Sequence, residues 1–297
     1  MRKTVLVTGC SSGIGRATAR RFLAGGWEVF ATARDGADVR DLAAAGCRTA
    51  ELDVTDPAAV DDAVRRVFDE FGRLDCLINN AGYGQFGPIE DVPGDAVRRQ
   101  FEVNTFGPLQ LIRAVLPAMR ARGRGTVVNV TAGVGGLTPP GLGIYTASKF
   151  ALESATDALR QEVSHLGVDV VTVEPGFVAT DFYDRALAEI ESTPHTDAYE
   201  DLYRVLESID VVERGGPGIN SPERVADVLF EAAEAPNPKP VYRVGPSAKL
   251  GTAAGALVRG RLRHSLSRLG VRALASGPAQ RALDRRRPDR PRGVVRR

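Results

Sequence analysis

Short β-branched runs alternate with longer amphipathic stretches over the first 180 residues, and no other feature constrains the fold of this chain as strongly. Strands are predicted at Thr4–Thr8 (TVLVT), Glu28–Thr32 (EVFAT), around Arg48–Leu52, at Cys76–Asn79, Thr126–Thr131 (TVVNVT) and Val168–Val173 (VDVVTV). Between them, helices are predicted over Gly13–Gly25, Asp38–Ala45, Pro57–Phe71, Thr105–Arg122 and Tyr145–Leu166. Pro57 falls in a first helical turn, where its missing N–H costs nothing. Strands that are apolar on both faces, separated by helices, specify a parallel sheet covered on both sides. Right-handed crossovers then make the fold doubly wound.

This predicts a single-domain α/β chain, a doubly wound (Rossmann) parallel sheet over residues 1–245. Past Asp181 the strand pattern stops. Helical pieces at Asp184–Ser192 and Ala198–Ile209, broken by Pro194 and the Gly215–Gly218 cluster, form an expected substrate lid over 181–220. Ser221 is the expected N-cap of a helix over Pro222–Ala233, with a last strand at Pro240–Val244. A basic helical extension is expected over 246–283, and a disordered Arg/Pro-rich tail over 284–297.

Composition narrows the class. With 43% hydrophobic and 26% charged residues in 297, the chain is neither disordered nor fibrous. No run of about 18 apolar residues marks a membrane span, and the first strand begins too early for a signal peptide. Cys10, Cys47 and Cys76 have no disulfide or zinc spacing, so no metal is expected and a cytoplasmic setting fits. The net charge of +2 is uneven. Residues 259–297 carry 13 Arg against two acids, a net of +11, while the rest carries 26 basic and 35 acidic residues, a net of −9. Leu262, Leu266, Leu269 and Ala273 recur at helical spacing there, among arginines. Such a helix either lies on an anionic membrane or packs against the acidic body or a sister subunit. No nucleic-acid recognition module accompanies it.

Two stretches carry chemistry. Thr8-Gly9-Cys10-Ser11-Ser12-Gly13-Ile14-Gly15 lies between the first strand and first helix, where glycines let a backbone approach a pyrophosphate and the helix N-terminus attracts it. The second strand ends in Ala33-Arg34 with no acid in the position that holds ribose hydroxyls. Arg34 therefore favours the 2′-phosphate of NADP(H), although Asp35 follows it. Tyr145 and Lys149 stand four residues apart on one helix face. A neighbouring ammonium lowers a phenol's pKa and suits it to proton transfer at a carbonyl or alcohol oxygen.

With TGCSSGIG at 8–15, Asp53 in LDVTD, NNAG at 79–82, Asn104 in FEVNTFG, YTASK at 145–149 and EPGFVAT at 174–180, the chain resembles the short-chain dehydrogenase/reductase family over about residues 1–245. Its wording is most similar to the 17β-hydroxysteroid and retinol dehydrogenase branch. The resemblance implies an NADP(H)-dependent oxidoreductase that interconverts a carbonyl and an alcohol, with Tyr145 as acid/base, Lys149 bound to the nicotinamide ribose, and Asn104 holding a relay water. It implies that Ser11, Ser12 and Ile14 line the phosphate site, that Asp53 and Val54 contact adenine, that Asn80 packs beside the adenosine ribose, and that Gly9, Gly13, Gly15, Ala81 and Gly82 also belong to the cofactor-binding set. Val178 and Thr180 would hold the carboxamide, with Pro175 and Gly176 also among the cofactor-binding residues. Family members pair through the helices read at 105–122 and 145–166, which implies a homodimer or homotetramer.

One position departs from the family. A serine that polarises the substrate oxygen belongs 13 residues before the tyrosine, and here that position is Ala132. Either Thr131 substitutes through a shift of the glycine-rich loop, or the enzyme works without the donor, or the chain is a dinucleotide-binding regulatory or scaffold protein with an impaired site. If strand geometry persists through position 132, Thr131 faces away from the substrate. The lid aromatics Phe182, Tyr183, Tyr199 and Tyr203, with Leu202 and Leu206, line a site for a hydrophobic substrate or form ordinary core.

Overall fold

A computed structural model describes residues 2–133, 138–191, 193–213 and 218–249, without the side chains of 208–213. The tail from residue 250 onward, which holds most of the predicted basic extension and all of the Arg/Pro-rich end, lies outside the described residues.

Seven parallel strands form one sheet: β1 (Thr4–Val7), β2 (Glu28–Ala33), β3 (Arg48–Glu51), β4 (Cys76–Asn79), β5 (Gly125–Val130), β6 (Val168–Pro175) and β7 (Val241–Val244), in the order β3-β2-β1-β4-β5-β6-β7. The order reverses between β1 and β4, which opens a crevice beyond their carboxyl ends, where doubly wound sheets bind ligands. All four residues of β1 and of β4 are buried, as expected for strands covered on both faces.

Helices α1 (Gly13–Ala24), α2 (Arg40–Ala45), α3 (Pro57–Phe71), α4 (Gly94–Phe101), α5 (Gly107–Ala121), α6 (Gly143–Val163), α7 (Phe182–Glu191), α8 (Glu200–Glu213) and α9 (Pro222–Glu234) complete the chain. The two faces of the sheet make two cores. Val5, Val7, Ala31, Val128 and Val173 pack with Phe22 of α1, Leu42 of α2 and Leu229 of α9. Leu6, Phe30, Leu77 and Val127 pack with Val64 of α3, Leu111 of α5 and Val163 of α6. Local chemistry sets the ends. The Asp56 carboxylate accepts from Ala58 N–H with Pro57 in the first turn, and Ser221 accepts from Arg224 N–H to start α9.

Some boundaries differ from the sequence pattern. The stretch read as one helix over 38–45 splits into a 3₁₀ turn at Gly36–Val39, capped by the Asp35 carboxylate, followed by α2. Helix α4 is short, with an apolar face of only Ala96, Val97 and Phe101, and its one buried residue is Gln100. The helix read from Thr105 begins instead as a π-helical turn over Glu102–Phe106 that runs into α5. Such turns concentrate at functional sites.

Candidate active site

A cleft of about 680 Å³ opens over the carboxyl ends of the strands. It is bordered by the phosphate loop, Arg34, Asp53, Val54, Asn80, Ala81, Gly82, residues 130–133, Tyr145, Lys149 and the segment 175–180. Ser11, Ser12 and Ile14 belong to that border, as do Pro175, Gly176, Val178 and Thr180. Of the residues predicted to bind cofactor or carry catalysis, only Gly15 and Asn104 stand outside this lining.

At the cofactor end the wall is bare backbone. Gly9 (φ +72°) and Gly13 (φ +51°) take left-handed conformations. A Cβ at Gly9 would sit 2.8 Å from Ala81 Cα, and one at Gly15 only 2.1 Å from the Gly9 carbonyl oxygen. Thr8 and Asn80 lock this loop to β4. Asn80 N–H and Ala81 N–H each donate to Thr8 Oγ1 at 3.0 Å, and Asn80 Nδ2 donates to the Thr8 and Gly9 carbonyls at 2.9 and 3.2 Å. Ser12 precedes α1 but its side chain caps nothing, and the first turn of α1 holds no acid. Its free N–H groups therefore remain available to an anion. Arg34 is exposed at the end of β2. The following Asp35 is occupied, accepting from Ala37 N–H at 2.8 Å. Asp53 is likewise engaged, accepting from Thr55 N–H and Oγ1 at 2.9 and 2.8 Å. The adenine-end wall is completed by buried Val54. This close-approach loop and open helix N-terminus fit the diphosphate of a dinucleotide.

At the end that holds Tyr145 and Lys149 the wall is buried polar side chains. Lys149 is 5% exposed, and its Nζ donates to the Val130 carbonyl at 3.0 Å. Burial pulls its pKa down from 10.5 to about 8, against the opposing pull of the Glu153 carboxylate one turn further along α6. The Tyr145 ring packs edge-on against Phe86 (5.7 Å between centroids) and beside Phe182 (5.6 Å). Asn104, fully buried in the π-helical turn, accepts from Tyr83 N–H at 2.8 Å and donates to the Tyr83 carbonyl and Ser148 Oγ at 2.9 and 3.2 Å. A Cβ at Gly82 would lie 3.7 Å from Lys149 Nζ and 3.8 Å from Asn104 Oδ1. The lysine and the asparagine thus look onto one space that Gly82 leaves clear.

Beyond β5 the ladder continues: Thr131 N–H donates to Val173 O at 2.9 Å and Gly133 N–H to Pro175 O at 2.7 Å. Strand geometry therefore runs through position 132. Ala132 borders the cleft. Thr131 is 4% exposed, and its Oγ1 is buried without a well-aligned hydrogen bond. That hydroxyl lies toward Glu153, whose carboxyl burial raises to about 7 while Thr131 and Lys149 pull it down.

Several positioning residues left little sequence signal. Gln100 accepts from Gln85 N–H at 2.6 Å and donates to the Tyr83 carbonyl at 2.8 Å, so it holds segment 83–85 together with Asn104. Asn220 donates from Nδ2 to Phe177 O at 2.9 Å and bridges to Val178, fixing the 175–180 loop from 40 residues away. The lid aromatics divide. Phe182 and Tyr183 border the cleft with Phe86, whereas Tyr203 and Leu206 are buried in a cluster with Ala186 and Ile190. Tyr203 donates to the Asp91 carboxylate at 2.6 Å, and Tyr199 to Glu90 at 2.6 Å. Among the described residues no His, Cys, Asp and Glu group could hold a metal, and no helix is long and apolar enough to cross a membrane.

Residues 3–190 match the family model described as short chain dehydrogenase. The chain belongs to the short-chain dehydrogenase family. It is 35% identical over 266 residues to an NADPH-dependent 3-dehydrocapnine reductase from Ornithobacterium rhinotracheale, covering 86% of this chain and 93% of that protein. It is 38% identical over 253 residues to human 17-beta-hydroxysteroid dehydrogenase type 1, covering 80% and 76%. In structure it is similar to a short-chain dehydrogenase from Streptomyces avermitilis, with a TM-score of 0.75, 30% identity, and 96% and 97% of the two chains covered. As a member of this family, the chain is an oxidoreductase of alcohol and carbonyl groups.

Proposed function

We infer that the chain is an NADP(H)-dependent oxidoreductase that interconverts a carbonyl and an alcohol on a hydrophobic substrate. The observation that carries this reading is Lys149, a buried amine on the same helix face as Tyr145 at the junction of the backbone-lined loop and an aromatic chamber. A cation there favours the phenolate of Tyr145. Tyr145 then gives a proton to a carbonyl oxygen, or takes one from an alcohol. Lys149 and Asn104 face the clear space at Gly82, through which that proton is replenished. The nicotinamide, when bound, supplies or accepts the hydride. Phe86, Phe182 and Tyr183 exclude water from the reacting oxygen, which favours an apolar substrate. Exposed Arg34, with Asp35 turned to capping, supports NADP(H) over NAD(H), in line with the NADPH dependence named for the Ornithobacterium relative. Phe106, 46% exposed at the root of α5, supports pairing of two copies through α5 and α6.

Ala132 on the cleft wall favours a second reading, a dinucleotide-binding regulatory protein. It is the weaker one, because a protein without turnover has no use for a costly buried amine beside Tyr145. The test is turnover of aromatic, steroid and aliphatic ketones with NADPH and NADH. The parent is expected to turn over at least one apolar ketone with higher kcat/KM for NADPH. Tyr145→Phe is expected to abolish turnover while still binding nucleotide, and Arg34→Ala to erode the NADPH preference. Activity of Tyr145→Phe within tenfold of the parent removes Tyr145 from the acid/base role, and equal kcat/KM for the two nucleotides in the parent removes the NADP(H) assignment.

A further inference from the structure

Arg185 stands one turn into α7, the first helix of the lid, and reaches back across the cleft to the phosphate loop. Its Nη2 donates to Ser12 Oγ at 3.1 Å. Among the described residues, no carboxylate lies within ion-pairing distance of Arg185. The arginines on the outer face of α1 differ in this respect: Arg16 and Arg20 pair with Asp41, and Arg21 pairs with Asp227.

The contact joins a guanidinium to the positive end of a helix. Ser12 is the residue at the N-terminus of α1, its hydroxyl caps no helical N–H, and no acid lies in the first turn. A guanidinium therefore faces the positive end of a helix whose first turn supplies no carboxylate, an arrangement that favours an anion. The geometry is nonetheless fixed. A Cβ at Gly13 would come within 2.9 Å of Thr180 Cγ2, so the root of α7 is pressed against the first turn of α1. Arg185 N–H donates to Asp181 O at 3.1 Å, which sets the first turn of the lid helix. Arg185, Ser12, Gly13 and Thr180 all border the same cleft. Arg34 also borders it, at the end of β2, where it is the expected partner of a 2′-phosphate.

We propose that Arg185 is a diphosphate ligand carried by the lid, so that a dinucleotide in the cleft ties α7 to the phosphate loop. The inference rests on the dinucleotide reading above. Guanidinium forks bind phosphate oxygens through charge-assisted, often bidentate hydrogen bonds. The Ser12 hydroxyl, released from Arg185, can turn to the same anion. The chain's backbone N–H groups at Gly13 and Ile14 and the lid's guanidinium would then hold the diphosphate from two sides. Cofactor occupancy and order in the lid become one event, and α7, which carries Phe182 and Tyr183 of the substrate chamber, is fixed when nucleotide is present.

The experiment measures NADPH and NADH affinity by nucleotide fluorescence in the full-length parent, Arg185→Ala and Arg185→Lys, together with amide hydrogen exchange over residues 182–191. Arg185→Ala is expected to weaken both nucleotides by the same factor, about tenfold or more, and Arg185→Lys to recover part of that loss. Nucleotide is expected to slow exchange over 182–191 in the parent and not in Arg185→Ala, with the thermal midpoint of the nucleotide-free protein unchanged. A loss confined to NADPH assigns Arg185 to the 2′-phosphate and overturns the proposal. So does unchanged affinity, or full exchange protection in Arg185→Ala. A parent that binds neither nucleotide overturns the dinucleotide reading itself, and is distinguishable because it needs no variant to be seen.

Discussion

The two ends of the cleft are built from different materials. The cofactor end is made of backbone that nothing may crowd: Gly9 against Ala81, and Gly15 against the Gly9 carbonyl. The end that holds Tyr145 and Lys149 is made of side chains that fill one another's hydrogen-bonding needs: Asn104 with Tyr83 and Ser148, Gln100 with Tyr83 and Gln85, Lys149 with the Val130 carbonyl. A wall of bare backbone fails through collision, and a wall of polar side chains fails through an unpaired group. The first failure is abrupt because neighbouring main chain has nowhere to go. The second is graded, because water or a rotated neighbour can replace one partner.

Gly15→Ala is the sharpest way to break that contrast, and its expected effect is the largest. The new Cβ would lie 2.1 Å from the Gly9 oxygen and 2.5 Å from Asn80 Nδ2. Overpacking into fixed backbone costs roughly 3 kcal/mol. Nucleotide affinity is expected to fall by about 100-fold or more, since each 1.4 kcal/mol is about tenfold. Titration of nucleotide fluorescence measures it, and a fall of less than about threefold would show that the loop yields easily and that the two walls are alike.

The same contrast explains what could be read in the sequence. Steric exclusion leaves glycine as the sole choice and places it at fixed spacing, so the loop at 8–15 was legible. Tyr145 and Lys149 were legible because one helix carries both at one interval. The five central strands, β1, β2, β4, β5 and β6, were legible because residues buried on both faces leave continuous apolar runs. Gln100, Asn220 and Arg185 left no such trace. Each acts across a gap of 15 to 173 residues on a partner chosen by the tertiary fold, and an amide or guanidinium on an exposed-looking helix or loop resembles any solvated side chain. Helix α4 leaves little more, since it has only eight residues and the one it buries is a glutamine.

Ala132 lies where the two kinds of wall meet, and it sharpens the comparison from the catalytic side. The ladder from Thr131 to Gly133 keeps strand alternation, with the Thr131 hydroxyl buried toward Glu153 and Ala132 on the cleft. Ala132→Ser adds a hydroxyl facing the cleft beside Tyr145. Losing one oxyanion donor typically costs about 10²–10³ in rate, so a gain of at least about tenfold in kcat is expected on restoring it. Thr131→Val is expected to change kcat little. Steady-state kinetics on the best ketone decide between the two, and the opposite pattern, an inactive Thr131→Val with a neutral Ala132→Ser, would show that the threonine had taken over the donor's place.

The smallest expected effect belongs to Glu153, which tests whether the polar wall extends behind Lys149. Burial is the largest influence on its carboxyl and raises the pKa from 4.5 to about 7, assisted by Glu174 and Asp157 and opposed by Thr131 and Lys149. Glu174 is itself bound to Arg243 on β7 at 2.9 Å, and Asp157 pairs with Arg160, which leaves Lys149 as the cation nearest in sequence without another carboxylate of its own. A carboxyl whose folded pKa is raised holds a proton that the unfolded chain has already released. Its contribution to stability is complete below about pH 4.5 and is lost as pH rises through about 7. Glu153→Gln removes the titration while keeping the shape and the hydrogen-bonding capacity toward Thr131. Its stability is therefore expected to fall less steeply than the parent's between pH 5 and 7.5. At pH 7.5 the variant avoids an incompletely paired buried carboxylate, worth about 1 kcal/mol. With a urea slope of roughly 2–3 kcal/mol per M, the midpoint should rise by ~0.3–0.5 M. Urea unfolding at the two pH values checks this. Parallel stability profiles for parent and variant would place Glu153 in contact with water, and would confine the buried polar wall to Asn104, Gln100, Ser148 and Lys149.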